Sequence, residues 1–435
     1  MKLFTGSFLI LLLLGGCAAY QLDNAQNELR SSFASGDYQS TVQLVENLDQ
    51  QNVYKSKDQV LLYLEHGLVN HFAGNYENSS QYFTRAEDEI DALFTKSVSR
   101  AIQSFVVNDN TLAYDGEDYE DIYLNVFKGL NYIHMNELES ALVEVRRVTY
   151  KLERLDEKYH GLVEALSKAD TTSTGEDKWK TGETNVQNSA LGRYLSTILY
   201  AKTNKPDDAR IELSNLMRAY QEQPSVYDFD KPSREELERL TRPESYNVLI
   251  KAFAGRAPIK EQNDIRFYDS DSDTYIKFSM PTLKTYNSRV RRITVEVDDQ
   301  SPVELHLIEE MGQVAKEVYK VKEPIIYARA LVRAVLKAGV AEGIKNRAKK
   351  ESEFLGAAAN IMGKIAQEAS EKADLRSWQT MPGKSYSTVL NLAPGTHQVK
   401  VKFYDASGNM LNNYAQEVTI AENTSLELVE SIYWN

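Results

Sequence analysis

The sequence predicts an α+β protein: an amino-terminal solenoid of paired helices, then an α+β domain with a small β-sandwich-like sheet and long helices. Three observations lead there. Apolar residues recur at three- and four-residue spacing from about Gln21 to Tyr220, the mark of amphipathic helices. Within that stretch a helix, a tight turn and a second helix recur four times. After Tyr220 short alternating runs, separated by Gly, Pro and Asp, read as strands and hairpins. A length of 435 residues predicts two or three domains at about 150 residues each. The expected division is a signal peptide at 1–16, helical repeats at 17–222 and an α+β domain at 223–435. Within the last, a helical stretch is expected at 305–372 and a β-meander at 385–435.

The chain opens on Met1-Lys2-Leu3-Phe4 and an apolar run that ends at Gly15-Gly16-Cys17. One positive charge, a short apolar core and small residues at its end form a secretory signal peptide. The run is short for a membrane-spanning helix. Leu14-Gly15-Gly16-Cys17 resembles a bacterial lipobox, which implies cleavage between Gly16 and Cys17. It also implies a diacylglyceryl group on the Cys17 thiol and acylation, of the palmitate type, at the new amino terminus. The chemistry needs a nucleophilic sulfur, and the one cysteine of the chain stands there. The plainer reading is an ordinary signal peptide with an incidental cysteine. Ala18 after the cysteine, by resemblance to Gram-negative lipoproteins, implies sorting to the outer membrane, facing the periplasm.

The helical units follow in order. Leu22, Ala25, Leu29 and Phe33 share one face, Gly36-Asp37-Tyr38 turns, and Val42, Leu44, Val45 and Leu48 begin again. Leu61 to Phe72 leads through Gly74-Asn75-Tyr76 to Tyr82, Phe83 and Ala86. Ile122 to Ile133 leads through Asn136-Glu137-Leu138 to Ala141, Leu142 and Val145. Leu191 to Ala201 leads through Asn204-Lys205-Pro206 to Ala209, Leu213 and Leu216. The unit resembles the tetratricopeptide repeat. Its turn position favours a left-handed residue, and the small residues Ser79, Ala141 and Ala209 let paired helices approach. Spacing between turns is irregular, so inserted segments separate the units; Ser167 to Ser189 reads as a mobile loop. Repeats of this kind stack into a solenoid whose concave face binds peptides or helices; the plainer alternative is a spacer.

Several short motifs occur in a fixed order: Tyr114-Asp115-Gly116-Glu117-Asp118-Tyr119-Glu120, Lys128-Gly129-Leu130-Asn131-Tyr132, Gly192-Arg193-Tyr194-Leu195, Gly255-Arg256-Ala257-Pro258, Ala373-Asp374-Leu375-Arg376-Ser377-Trp378 and Met381-Pro382-Gly383. Together they resemble a family of uncharacterised bacterial lipoproteins with tetratricopeptide-like amino-terminal halves. The resemblance implies cell-envelope work and transfers no functional residue beyond Cys17. On physical grounds Glu144, Arg146 and Arg147 are expected to pair with the acidic run Asp115 to Asp121. Trp378 beside Pro382 reads as a packing anchor between helix and strand.

In the carboxy-terminal half, Ser233 with Glu236 forms a capping box. Val248 to Ala252 reads as a strand closed by Gly255. Ile265 to Tyr268 and Tyr275 to Phe278 read as a hairpin, and Ile293, Val295 and Val297 as a further strand. Leu305 to Tyr319 is expected to be helical, with Pro324 starting the next helix. Phe354 to Ala369, rich in Ala and Gly, allows close helix packing; its lysines and glutamates argue against a membrane hairpin. Val389 to Leu392, His397 to Phe403, Tyr414 to Ile420 and Leu426 to Tyr433 complete the predicted meander.

Fifty Lys and Arg against 63 Asp and Glu give a net charge of −13, which argues against a general nucleic-acid binder. His66 and His71 are five residues apart, off the helical metal-pair spacing, and no HExxH, Walker A, GxGxxG or GxSxG motif occurs. Asp269, Asp271 and Asp273 mimic an EF-hand start, but Thr274 and Met280 stand where Gly and Glu are needed. The expected function is a non-enzymatic interaction scaffold or accessory factor, without cofactor or metal, anchored to the membrane by lipid on Cys17. Its expected partners are envelope proteins or peptides held by the helical repeat. A peptidoglycan- or glycan-binding lipoprotein is the alternative, and an envelope hydrolase the third reading.

Overall fold

The computed structural model describes residues 21–99, 109–169, 181–269, 274–338 and 372–435. Gly16, Cys17, the stretch Phe354 to Ala369 and the Asp271 and Asp273 positions lie outside the described residues. The chain is mixed α+β.

The helical half is a series of antiparallel pairs. Helix α1 (21–34) turns into α2 (Tyr38–Gln50), and α3 (Gln59–Phe72) into α4 (Tyr76–Ser99). Helix α5 (Asp118–His134) turns into α6 (Leu138–Glu153), which is followed by α7 (Leu155–Ala169). Helix α8 (Ala190–Lys202) turns into α9 (Pro206–Glu222). The four turns share one backbone device. Gly36, Gly74, Asn136 and Asn204 sit at the same place with φ of 80°, 80°, 59° and 57°. In the last three, the next amide closes a Schellman bond five residues back: Asn75 to Asn70, Glu137 to Tyr132 and Lys205 to Tyr200, at 2.8–2.9 Å. Close packing then fixes the pairs. A Cβ on Gly67 would lie 2.5 Å from the Phe83 ring, and one on Gly129 2.6 Å from Val145. Ser79, Ala141 and Ala209 are fully buried.

After α10 (Arg234–Arg239) come strands β1 (Val248–Arg256), β2 (Ile259–Asp269), β3 (Thr274–Lys284), β4 (Arg292–Val297), β5 (Val303–Glu304) and β6 (His306–Glu309). Helix α11 (Met311–Ala338) and strands β7 (Pro382–Leu390), β8 (Gly395–Tyr404), β9 (Met410–Ile420) and β10 (Glu427–Tyr433) follow. They form two four-stranded sheets, β10-β1-β7-β6 and β5-β4-β8-β9, and a separate β2-β3 hairpin. Strand β1 pairs parallel with β10 and antiparallel with β7. Val248, Ile250, Ala252 and Ala254 on one face of β1 pack against Ile293, Val295, Val399, Val401 and Phe403 of the other sheet. That is the expected sandwich. The opposite face of β1 joins the core of the helices: Phe253 lies 5.3 Å from Phe127 and 6.1 Å from Phe72. Strand β1 is therefore the middle of three layers, helix on sheet on sheet.

The structure corrects four expectations. The last strands are not one meander: β8 and β9 form a hairpin in one sheet, while β7 and β10 flank β1 in the other. Alternation fixes a strand's faces but not its neighbours. Leu305 to Glu309 belongs to the strand region. Its apolar spacing imitates a helix because Leu305 packs into the sandwich while Ile308 and Met311 pack under the helices. Pro324 lies inside α11. Proline cannot donate to Lys320 O, and Gly182 packs into the resulting gap: its N–H donates to Val321 O at 3.1 Å, and a Cβ there would meet Lys320 O at 1.9 Å. Finally, Lys151 and Lys158, not Arg146 and Arg147, hold the acidic start of α5, reaching Asp121 at 2.6 Å and Asp118 at 2.7 Å. Arg147 turns to Glu87 at 2.9 Å and Glu144 to Lys128 at 3.1 Å. Residues 144, 147 and 151 share a helix face, and only the last lies level with the start of α5.

Candidate functional site

Part of the surface of α3, α4 and α5 is covered by a later segment of the chain. Residues 374–380, which belong to no helix or strand, run along α3 and α5. The Arg376 guanidinium meets Asp58 at 2.9 Å and also donates to the carbonyls of Lys57, Asp109 and Leu112. The Trp378 amide donates to Glu120 at 2.7 Å; the Gln379 amide and the Thr380 hydroxyl donate to Glu65 at 2.7 and 2.6 Å. The Trp378 ring packs on Phe83 and Phe127. Trp378 is thus a packing anchor, as the sequence indicates, but it joins a segment outside any helix or strand to two helices rather than a helix to a strand.

Further buried polar groups join the sheet to the helices. The Glu309 carboxylate accepts from Tyr123 at 2.7 Å, Tyr227 at 2.9 Å, Ser189 at 2.9 Å and the Leu191 amide at 3.2 Å. Glu430 meets His134 at 2.7 Å and His71 at 3.2 Å. Burial favours its neutral form, but the two imidazoles outweigh this and hold the carboxyl far below its usual range. Lys251 on β1 donates to Ser385 and Ser387 on β7. A serine beside a lysine that burial has pushed down to about 7 has the composition of a nucleophile and its base. All three residues are sealed between the sheet and the helices, at most 1% exposed, so no substrate reaches them. Their contact is a cross-strand tie.

An open cleft of about 720 Å³ lies at the edge of the first sheet. Its walls are the β1–β2 corner, the loop 285–291, strand β6 with the first turn of α11, and the start of β7. Two glycines bring these walls together. Gly255 has φ of 68°, and a Cβ there would sit 2.7 Å from Ser288 Cβ; a Cβ on Gly383 would sit 2.4 Å from Arg256 O. The lining carries Lys231, Arg256, Arg291, Lys316 and Lys384 against Asp230, Glu304 and Glu310, a basic excess in an acidic protein. Lys384 is neutralised by Glu310. Arg256 has no carboxylate partner among the described residues; its guanidinium stacks 4.5 Å from the Trp434 ring and 5.6 Å from Tyr286. Lys316 is half-buried and likewise unpaired among the described residues. Among the described residues, Arg291 reaches only backbone carbonyls, of Ser288 at 2.6 Å and Val290 at 3.0 Å.

Cys17 and Gly16, the site residues indicated by the sequence, lie outside the described residues. The cleft was not legible as a site. Its only signals were Gly255-Arg256 and Met381-Pro382-Gly383, two motifs 125 residues apart that the fold brings into contact. Among the described residues, no group of three His, Asp or Glu is placed to hold a metal ion, and no helix is long and apolar enough to cross a membrane. No protein-family model matches the chain, and no curated protein matches it significantly.

Proposed function

We propose that this chain is a lipid-anchored cell-envelope protein, tethered through Cys17 to the periplasmic face of the outer membrane. It acts as a non-enzymatic binding scaffold or accessory factor. The lipobox supports the tether. The repeated helix pairs, with their shared left-handed turn, support a tetratricopeptide-like origin of the helical half and membership of the lipoprotein family that the motif order resembles. The observation that carries the binding role is the division of surfaces. Part of the surface of α3, α4 and α5 is covered by residues 374–380. Binding then falls to the outer helix faces and the open cleft. On the outer faces Val143 and Tyr150, seven residues apart on α6, and Ile211 on α9 are each more than half exposed. Envelope proteins or peptides are the proposed partners there.

The test is fractionation and crosslinking of the full chain in a Gram-negative host. The parent is expected in the outer-membrane fraction with acylated Cys17, and Cys17→Ser in the soluble or unprocessed fraction. Crosslinking from residue 150 is expected to trap a reproducible set of envelope proteins. A Cys17→Ser chain that matures and fractionates like the parent removes the anchor. Absence of any reproducible crosslinked protein removes the scaffold role.

A further inference from the structure

We propose that the cleft beside Arg256 binds an acidic saccharide, a sugar unit carrying a carboxylate. Four features of the walls select that chemistry. First, the cations are available. Arg256 and Lys316 have no counter-charge among the described residues, whereas the buried cations Lys128, Lys260 and Arg376 each meet a carboxylate. An unpaired guanidinium in a partly enclosed cleft favours a carboxylate because it offers parallel N–H donors in one plane. Second, the guanidinium is preorganised. Trp434 and Tyr286 hold it by their ring faces, so little side-chain freedom is lost on binding. Third, the wall has neutral groups suited to hydroxyls. The side-chain amides of Asn287 and Gln313 line the cleft and make no hydrogen bond to the described residues. Fourth, the volume of about 720 Å³ lies in the range of small-ligand sites and matches one or two sugar rings rather than a single small anion.

An acidic peptide is the competing ligand, and the sheet edge disfavours it. A peptide that docks on a sheet adds a strand along a regular edge. The edge here is β6, four residues long, with its pairing to β7 broken between Leu307 and Glu309. Such an irregularity blunts the ladder that an added strand needs. The cleft therefore offers side-chain groups rather than a backbone template.

The inference is independent of the lipid tether, because it concerns the folded chain alone. The full chain, purified in detergent, is titrated with a disaccharide of galacturonic acid, the matching neutral disaccharide, inorganic phosphate and a short glutamate peptide. Calorimetry gives the affinity, and tryptophan emission reports Trp434 beside Arg256. The acidic disaccharide is expected to bind in a salt-sensitive manner, at least about tenfold tighter than the other three. Lys316→Gln is expected to weaken it by about tenfold with an unchanged melting temperature. Arg256→Gln is expected to weaken it further and to remove the emission change. Equal binding of the neutral sugar, phosphate or peptide overturns the assignment. So does unchanged affinity in Lys316→Gln, or no binding of the acidic disaccharide at all.

Discussion

The Arg376 guanidinium lies 2.9 Å from the Asp58 carboxylate, and 318 residues of chain separate them. Asp374 makes the second pair to the same guanidinium, at 2.7 Å. The cluster ties the extended segment before β7 to the start of α3. Removing one partner strands a buried charge. Arg376→Leu should therefore cost about 3–5 kcal/mol, read as a lower urea midpoint at constant slope. Adding Asp58→Asn should restore part of the loss, since one stranded carboxylate disappears. Additive losses in the double variant would show that the two groups do not interact.

Two glycines separate crowding from backbone strain. Gly67→Ala places a methyl against the Phe83 ring between α3 and α4, and overpacking of this kind costs about 1–3 kcal/mol. Gly36→Ala meets no atom within 4 Å but must hold φ of 80°, at about 1–2 kcal/mol. Measured against Phe83→Leu alone, which itself loses buried packing, Gly67→Ala should cost less than it does in the parent and Gly36→Ala the same. Thermal melts of the single and double variants check this.

Burial pushes the carboxyls of Glu65 and Glu120 up to about 7. Their unfolded value is near 4.5. Between the two, the folded chain keeps protons that the unfolded chain releases, so this contribution to stability falls as pH rises from about 4.5 to about 7. Glu65→Gln still accepts the Gln379 amide and no longer titrates. Urea midpoints at about pH 5 and pH 8 should differ less in Glu65→Gln than in the parent. An unchanged difference would show that Glu65 does not titrate in this range.

Lys251 gives the opposite slope. Burial lowers it from 10.5 to about 7. Between these values the unfolded chain holds a proton that the folded chain has lost, so this contribution rises with pH. Lys251→Met should gain stability relative to the parent at about pH 6 and lose most of that gain by about pH 10. A gain that does not depend on pH would mean that packing, not charge, limits the site.

Most of the helical half was legible. The apolar faces Leu22 to Phe33 and Leu61 to Phe72 appear as helices α1 and α3, and all four turn residues adopt positive φ. Helix periodicity and turn chemistry act over a few residues, so local sequence carries them. Strands β4 and β8 were legible by alternation and β1 as an apolar run closed by Gly255, but the parallel pairing of β10 with β1 was not, because its register joins residues about 180 apart. The run Leu305 to Glu309 misled for the same reason: two packing surfaces produced a helix-like spacing on a short strand. Lys316 and Arg256 gave no joint signal, since only the meeting of α11 with the β1–β2 corner places them in one cleft.

The sequence by itself determined the repeated helix pairs, their left-handed turns and the alternating strands. It also sets the expectation of a lipid-bearing Cys17. Only the tertiary structure decided that the segment around Trp378 packs on α3, α4 and α5, that Ser385 and Lys251 are sealed, and that Arg256 is left open. Local order follows from steric and hydrogen-bonding preferences of neighbouring residues. Which charges are paired and which remain available depends on long-range packing, where a buried polar group needs a partner brought to it from elsewhere in the fold.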